Sequence, residues 1–251
     1  MPKSEKRAGE PPEVVQGLRA GLAVFARRRD DIQRVAYCRA VRREIDELVK
    51  WSAARGLSCV ETSEREMDRL VNSAPHEGLL VTCQARRWGS VQDVAGVLTR
   101  SKGTAVALER VRNPYNVGAI LRSAAFFGVD AAILGAPAPH PGLAPVAVRV
   151  AEGGIEHLHL ARTTDLAETL SRLRALGVMV VGADAGAKLS VFGFSFARPV
   201  ILVVGHEREG LGERVRARCD ALVSIPGHGK VESLNVSVAA GVFIGQMLAR
   251  R

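Results

Sequence analysis

Three segments decide the fold of this chain: NPYNVGAILRSAAFFG (113–128), VVGHEREGLG (203–212) and IPGHGKVESLNVSVAAG (225–241). In each, an apolar run ends in a turn that contains Gly or Pro, polar side chains gather in the turn, and a helical pattern follows. Turns of this kind lie at the carboxyl ends of strands in a parallel α/β sheet, where such folds bind ligands. We therefore expect the three segments to form one composite site.

The rest of the second half has the pattern of a parallel sheet. Its short apolar runs are too continuous for half-exposed antiparallel strands. They are TAVALE (104–109), DAAIL (130–134), VMVVG (178–182), VILVVG (200–205) and ALVSIP (221–226). Helical patterns separate several of them, over 116–127, 164–176 and 233–249. This alternation predicts an α/β domain over 104–251, with a mostly parallel sheet covered on both faces.

The first half also alternates between helix and strand. The patterns predict helices over 14–28, 42–56 and 63–72 and strands over 32–38, 57–62 and 78–83. Ser63 and Glu66 have the spacing of a capping box. We expect a disordered polar tail over 1–13, a small α/β domain over 14–85, and an Arg-rich linker over 86–103 with one short helical stretch.

Charge and composition limit the class of protein. A net charge of +9 and a pI near 10.0 indicate an anionic partner, although a solvated basic surface is the alternative. Residues 1–102 hold 19 Lys and Arg against 14 Asp and Glu, with clusters at Arg27–Arg29, at Arg39, Arg42 and Arg43, and at Arg86–Arg87. No run approaches the ~18 apolar residues of a membrane span, and the amino terminus lacks the apolar region of a secretory signal. With four scattered cysteines, this predicts a soluble cytoplasmic protein with reduced thiols.

The first segment offers an amide and a guanidinium. Asn113 precedes Pro114 and is biased to an extended conformation, so Asn116 is a candidate N-cap for a helix that ends at Phe127. The Arg122 side chain leans toward the helix N-terminus and could reach the same turn. A helix N-terminus with an Arg fork suits a phosphate or oxyanion, whereas the alternative is a plain cap and a surface arginine.

The second and third segments add a carboxylate and two polar side chains. Gly205 would let a ligand lie against the backbone. Glu207 could accept hydrogen bonds from a ligand, hold an arginine, or belong to a solvated loop. Ser233 or Asn235 caps the last helix, in which Gly241 and Gly245 would allow close packing against a subunit partner.

Two other site types are not supported by the sequence. The GHGK at 227–230 lacks the spacing of a P-loop, and no GxGxxG is present. His157 and His159 lie two apart on a predicted strand with no Cys nearby and no acidic residue at a recognised metal-ligand spacing, so we predict no metal site there.

Together, in this order and spacing, the segments resemble the three motifs of the SpoU/TrmH family of RNA ribose 2′-O-methyltransferases, within the SPOUT superfamily. The resemblance covers 104–251 and is closest to a bacterial tRNA/rRNA methyltransferase branch. The first domain looks, more loosely, like the family's ribosomal-protein-like α/β RNA-binding module, including HEGLL at 76–80. The resemblance implies an α/β fold with a deep C-terminal trefoil knot, S-adenosylmethionine as cofactor, and a homodimer.

The resemblance also implies roles for particular residues. The positions that match the family's active site are Asn116, Arg122, Glu207, Ser233 and Asn235. Those whose backbones would hold the cofactor are Gly205, Ile225 and Leu234. The implied reaction moves a methyl group from S-adenosylmethionine to a ribose 2′-hydroxyl of tRNA or rRNA, without a metal.

Three departures from the family pattern concern the substrate rather than the chemistry. Gly227 replaces a usual Met, Glu152 lies near a usual Ser, and the HPG at 140–142 is atypical. Two other functions remain open at this point. One is an RNA-binding protein of the same fold without catalysis. The other is a nucleotide-binding oxidoreductase, which the missing glycine fingerprint disfavours.

Overall fold

The computed structural model describes residues 11–72, 74–138, 140 and 142–249, and the chain divides into two compact units, Met1–Arg87 and Trp88–Arg251. Most of the tail predicted over 1–13 lies outside the described residues. Its last residue, Glu13, begins the first strand. No helix in the described ranges is long and apolar enough to cross a membrane.

The first unit is a four-stranded mixed sheet with three helices. Its strands are β1 (Glu13–Gln16), β2 (Ile32–Cys38), β3 (Ser58–Thr62) and β4 (Leu79–Cys83), and its helices are α1 (Leu18–Arg28), α2 (Asp46–Ala54) and α3 (Glu64–Leu70). The strand order is β1-β4-β2-β3, in which β2 and β3 are parallel and the other pairs antiparallel. The predicted Ser63/Glu66 capping box is confirmed at the start of α3.

The helix predicted over 14–28 is wrong at its start. Residues Glu13–Gln16 pair with β4 as a strand, and Gly17 then separates strand from helix. Gly17 has a φ of 105°, which side chains with a Cβ rarely adopt. Helical periodicity alone could not reveal this, because the apolar pair Val14 and Val15 fits either element.

The two faces of this sheet are covered by different helices. Alternate residues of a strand point to opposite faces. Gly21 of α1 lies against Leu79 and Val81 of β4, so close that a Cβ there would come within 2.6 Å of Leu79. On the other face, Leu80 joins Met67 of α3 in a small apolar cluster. The unit therefore has its own layered core.

The second unit is built on a seven-stranded parallel sheet. Its strands are β5 (Thr104–Glu109), β6 (Ala131–Gly135), β7 (His159–Thr163), β8 (Met179–Ala183), β9 (Leu189–Ser190), β10 (Val200–Val204) and β11 (Ala221–Ser224). Its helices are α4 (Val91–Ser101), α5 (Pro114–Phe127), α6 (Pro145–Val150), α7 (Leu166–Ala175), α8 (Glu213–Arg216) and α9 (Val236–Leu248). The strand order is β7-β6-β5-β10-β8-β11-β9. Strands β5, β6 and β10 are buried along their whole length, which confirms the predicted α/β class with a large parallel sheet.

The segment predicted as a linker over 86–103 belongs to this unit from Trp88 onward, whereas Arg86 and Arg87 belong to the first unit. Its helix α4 is capped by Ser90 and Asp93 and buries Val94, Ala95 and Leu98 in the main core. This spacing of i, i+1 and i+4 forms one apolar face. The Arg-rich residues before the helix concealed that face, so the sequence suggested a connector.

Helices α5 and α9 lie side by side and run in the same direction. Asn116 at the start of α5 contacts Asn235, the N-cap of α9, and Phe127 at the end of α5 lies 3.6 Å from the position of a Cβ on Gly245. Gly118 brings α6 close to α5, since a Cβ on Gly118 would lie 2.6 Å from the carbonyl oxygen of Ala147. The absence of a side chain at Gly118 therefore admits α6.

Candidate active site

The three sequence segments meet at one edge of the parallel sheet. Strands β5, β10 and β11 end at Glu109, Val204 and Ser224, and their parallel pairing places these carboxyl ends at the same edge. The loops that follow the three strands carry Asn116, Glu207 and Asn235. The structure joins these side chains by hydrogen bonds, as the composite site requires.

Asn116 is the centre of this network. Helix α5 begins two residues earlier than expected, with Asn113 as its N-cap, so the predicted cap at Asn116 is wrong. Asn116 instead lies in the first turn and is 8% exposed. Its Nδ2 donates to Glu207 Oε1 at 3.1 Å, and its Oδ1 accepts from Asn235 Nδ2 at 3.1 Å. One amide thus links all three segments.

Glu207 serves as an acceptor for the β5–α5 loop. In addition to the Asn116 amide, its carboxylate accepts hydrogen bonds from the backbone N–H of Asn113 at 3.1 Å and of Arg112 at 3.4 Å. Burial by itself would raise the pKa of Glu207, but these hydrogen bonds outweigh it and hold the pKa below its ordinary value. Glu207 is therefore an ionised anchor between two loops.

Asn235 fixes the direction of the network. Its Oδ1 caps α9 by accepting from Ser237 N at 2.8 Å and Val238 N at 3.4 Å. The Nδ2 group is left to donate to Asn116, whose own Nδ2 faces the Glu207 carboxylate. A helix N-terminus at one end and a carboxylate at the other thus orient both amides. Ser233 lies exposed in the loop before α9.

Arg122 lies apart from this network. Because α5 begins at Pro114, Arg122 is more than two turns into the helix, ~12 Å along its axis. The sequence suggested that Arg122 could reach the turn that holds Asn116, but the structure separates the two. Its Nη1 pairs with Glu152 Oε1 at 2.8 Å, and the two side chains are 55% and 40% exposed. No sequence pattern predicts this contact.

The residues matched to the cofactor have different surroundings. Gly205 is buried at the end of β10, where a Cβ would lie 2.3 Å from the carbonyl carbon of Gly210. His206 and Gly210 exchange backbone hydrogen bonds at 3.0 Å, so the glycine is required by a loop that folds back on itself. The packing of this loop therefore explains the glycine, and contact between its backbone and the cofactor stays a prediction.

Ile225 and Leu234 fit a cofactor better. Ile225 is half-buried directly after β11, and Leu234 is 51% exposed just before α9. Apolar side chains beside strand-end backbone groups suit a nucleoside with an amino acid chain, which needs both stacking surface and hydrogen bonds. The donor set at this edge therefore fits S-adenosylmethionine.

A cavity of about 470 Å³ lies at the carboxyl ends of β5, β6 and β7. Its wall includes Glu109, Arg110, Asp165 and Arg214. Glu109 is largely buried and accepts a hydrogen bond from Gly212 N at 2.8 Å. None of the eight residues predicted for the site lines this cavity, and it was not foreseen from the sequence.

The first unit carries a stack of aromatic and arginine side chains. The low aromatic content of the sequence did not suggest it. The Arg55 guanidinium lies 4.5 Å above the Trp51 ring, and Phe25 meets Trp51 edge to face at 5.5 Å. Arg29 lies 5.9 Å from the Phe25 ring centre. In contrast, Arg28 of the same cluster pairs with Glu13 at 2.8 Å within the unit.

Among the described side chains, no group of three or more His, Cys, Asp or Glu is placed so that it could hold a metal ion. His206, the loop histidine after β10, accepts hydrogen bonds through Nδ1 from the backbone N–H of Arg208 and Glu209. It supports the loop that carries Glu207.

Comparison with known proteins gives matches over both units. Residues 103–245 match the family described as the SpoU rRNA Methylase family. An uncharacterized tRNA/rRNA methyltransferase of Mycolicibacterium gilvum is 34% identical over 240 residues, which cover 95% of this chain and 74% of that protein. Among similar mycobacterial relatives, the covered share of the relative runs from 66% to 75%.

Two solved structures extend the comparison. An AdoMet-bound rRNA methyltransferase from Sinorhizobium meliloti matches with a TM-score of 0.75 and 26% identity, over 94% of this chain and 86% of that chain. A structure described as giving insights into the 2-OH methylation of C/U34 on tRNA matches with a TM-score of 0.50 and 28% identity, over 59% of this chain and 99% of that chain.

Proposed function

The chain belongs to the SpoU rRNA methylase family, and we propose that it methylates a ribose 2′-hydroxyl of RNA. Membership confirms the predicted family and makes the protein an RNA methyltransferase that uses S-adenosylmethionine. The observation that carries the proposal is the Asn116–Glu207–Asn235 network, which joins the three motif segments at the carboxyl edge of the sheet. The ribose as target is supported by the motif resemblance and by the related protein described as acting in 2-OH methylation.

The cofactor is held, in this proposal, by the loops after β10 and β11 and by the start of α9. When bound, S-adenosylmethionine supplies a methyl group on a positively charged sulfur. Gly205, Ile225 and Leu234 would form its walls, mainly through backbone groups. Calorimetry on Leu234→Glu tests this, because Leu234 is exposed and its replacement spares the core. Unchanged affinity for S-adenosylmethionine would place the pocket elsewhere.

In this proposal, the Asn116–Glu207–Asn235 network holds the three loops in fixed positions relative to one another. A methyl transfer requires the hydroxyl oxygen in line with the methyl–sulfur bond, and such positioning contributes much of an enzyme's acceleration. Glu207 has its oxygens engaged by the β5–α5 loop, so it acts as an anchor and not as the proton acceptor.

Arg122 is assigned to the RNA phosphate next to the reacting ribose. Its guanidinium is half-exposed and offers several N–H donors, which match a phosphate. A guanidinium keeps its proton in proteins, so it is a poor base, and its contribution is to orient the substrate. Ser233 is exposed in the loop before α9, and its hydroxyl is assigned to a hydrogen bond with the ribose or phosphate of the substrate.

The decisive experiment identifies the product. The purified protein is incubated with labelled S-adenosylmethionine and with tRNA and rRNA fractions separately, and the RNA is digested to nucleosides for mass spectrometry. We expect 2′-O-methylated nucleosides from one fraction, which also settles the substrate class. Label found only on bases would contradict the ribose as the target.

A homodimer through α5 and α9 is part of the proposal. Exposed apolar side chains lie on this helix pair, including Tyr115 at 56%, Phe126 at 83% and Val238 at 53%. Of the small residues first suggested, Gly241 faces open space, whereas Gly245 packs on Phe127 of its own chain. Sedimentation at low micromolar concentration should show a dimer that Phe126→Glu dissociates; a monomeric wild type would contradict it.

The trefoil knot and the role of the first unit also remain proposals. The knot is supported by the strand order, since α9 returns from β11 near the sheet edge to pack on α5.

An RNA-binding role for the first unit is supported by its Arg–aromatic stack. Removal of this unit should weaken RNA binding and flatten its salt dependence. We propose that the protein acts in the cytoplasm.

A further inference from the structure

We infer that Glu152 is a positioning residue that holds the Arg122 guanidinium in the orientation needed for methyl transfer. The inference rests on the proposed function, in which Arg122 grips the substrate phosphate. It assigns a role to Glu152, which lies in a segment that departs from the usual family pattern.

The contact is short and joins two separate elements. Arg122 Nη1 donates to Glu152 Oε1 at 2.8 Å, from the third turn of α5 to the residue that follows the C-cap of α6. A charge-assisted hydrogen bond of this length is stronger than one between neutral groups. The carboxylate of Glu152 therefore both reaches and orients the guanidinium.

The backbone around Glu152 is held firmly in place. The flanking Ala151 and Ile155 are buried, each 1% exposed. At Gly154 the loop lies so close to α5 that a Cβ would come within 3.2 Å of the Arg122 Cα. The carboxylate is thus presented from a rigid platform against the helix turn that bears its partner.

Glu152 also adopts an unusual backbone conformation. Its φ is 46°, in the left-handed region that residues with a Cβ avoid, and Gly153 follows with a φ of 84°. Because Glu152 directly follows the C-cap of α6, its conformation is the left-handed one with which many helices end. Here the turn directs the carboxylate onto Arg122, which a glycine at the same position could not do.

One end of the guanidinium remains available to substrate. Arginine has five N–H donors in a fork. The hydrogen bond to Glu152 uses only Nη1. The opposite edge of the guanidinium, formed by Nε–H and Nη2, can therefore bind a phosphate. An anchored fork loses less side-chain freedom when it binds, so the bound geometry is reached more often. Glu152 thus orients Arg122 and still leaves donors of its guanidinium for the substrate.

The test is a double-mutant cycle with Glu152→Gln and Arg122→Ala in the full-length protein. Glu152→Gln should lower kcat by about 10- to 100-fold, the scale of a misplaced reacting group, while KM for RNA changes much less. Affinity for S-adenosylmethionine should be unchanged, which shows that the fold is intact. In the Arg122→Ala background, Glu152→Gln should have no further effect, because the partner it positions is gone.

A matched control is available on α7. Glu168 and Arg172 form a comparably exposed pair at 3.0 Å away from the motif residues, and Glu168→Gln should leave kcat unchanged. A second readout does not depend on activity. The Nη–H signals of Arg122 in a ¹⁵N spectrum, assigned by their loss in Arg122→Lys, should exchange with water several-fold faster in Glu152→Gln, because Nη1 is the group that Glu152 binds.

Two results would overturn the inference. One is full activity of Glu152→Gln; the other is an equal loss of kcat with and without Arg122. If the wild type formed no 2′-O-methyl product, the proposed function would fail, but the exchange rate of the Arg122 signal would still show whether Glu152 holds it. The two failures are therefore distinguishable.

Discussion

Asn116 accepts a hydrogen bond from Asn235 at 3.1 Å across 119 residues of sequence, and this contact joins the starts of two parallel helices. The same Asn116 amide donates to Glu207. Because an amide has one donor end and one acceptor end, it can link a carboxylate on one side to an amide donor on the other. The three loops at the site thus depend on the polarity of a single side chain.

Asn116→Asp should disturb this network although the side chain keeps its shape. The change removes the donor to Glu207 and sets two carboxylates against each other, so we expect a loss of about 1–3 kcal/mol in the free energy of unfolding. Weaker binding of S-adenosylmethionine should follow. Adding Glu207→Gln should restore much of both, since that amide can donate to the new carboxylate. Failure of the second change to rescue the first would contradict the network's proposed polarity.

Arg122→Ala should reduce methyl transfer by at least about 100-fold, the effect of losing one transition-state contact. The fold and the affinity for S-adenosylmethionine should stay nearly intact, because the side chain is half-exposed and lies outside the loop network. Arg122→Lys should not rescue activity, since an ammonium lacks the planar fork. Single-turnover kinetics with RNA measures this, and a substantially active Lys variant would exclude the role.

Glu207 should make stability depend on acid pH. Its pKa is lowered in the folded protein, so its contribution is present above the unfolded value of about 4.3 and is lost as pH falls through the folded pKa. Urea unfolding should therefore show Glu207→Gln to be less stable than wild type at pH 7, with a gap that narrows below about pH 4. The control is Glu209→Gln in the same loop, where an exposed pair with Arg110 contributes little. A gap that stayed constant with pH would argue against the anchor.

The second unit should fold alone only when α4 is included. A fragment of residues 88–251 keeps α4 in the core, whereas a fragment of 103–251 loses Val94 and Leu98. Burial of these two side chains is worth about 3–6 kcal/mol. Thermal melting of the two fragments checks this; equal melting temperatures would show that α4 is dispensable.

The Arg–aromatic stack of the first unit should contribute to RNA affinity through shape as well as charge. Arg55→Lys keeps the charge but removes the plane on which a base could stack over Trp51. We expect binding to single-stranded RNA to weaken by about 5- to 10-fold, with an unchanged salt slope. Lys50→Arg on the same helix is the matched control and should have no effect. If Arg55→Lys changed only the salt dependence of RNA binding, the stack would contribute through charge alone.

Most of the architecture was predictable from the sequence. Apolar runs bounded by Gly and Pro identified β5, β6, β8, β10 and β11, because fully buried parallel strands are apolar on both faces. The order and spacing of three motifs identified the family, since each motif combines a strand end with specific polar residues. Local signals such as the Ser63/Glu66 capping box were also reliable, because they act over four residues.

What the sequence could not determine was which polar groups meet. Asn116 was expected to cap a helix, yet Asn113 does so and frees Asn116 for Glu207 and Asn235, residues that lie 91 and 119 positions away. The sequence also did not show that the folded-back loop at Gly210 excludes a Cβ at Gly205. The Arg122 side chain was expected to reach the turn at the helix start, and only the packing of the 152–154 loop against α5 showed that it meets Glu152. Spacing along a chain predicts contacts within an element, whereas contacts between elements depend on how the sheet and its helices pack, and that is a property of the tertiary structure alone.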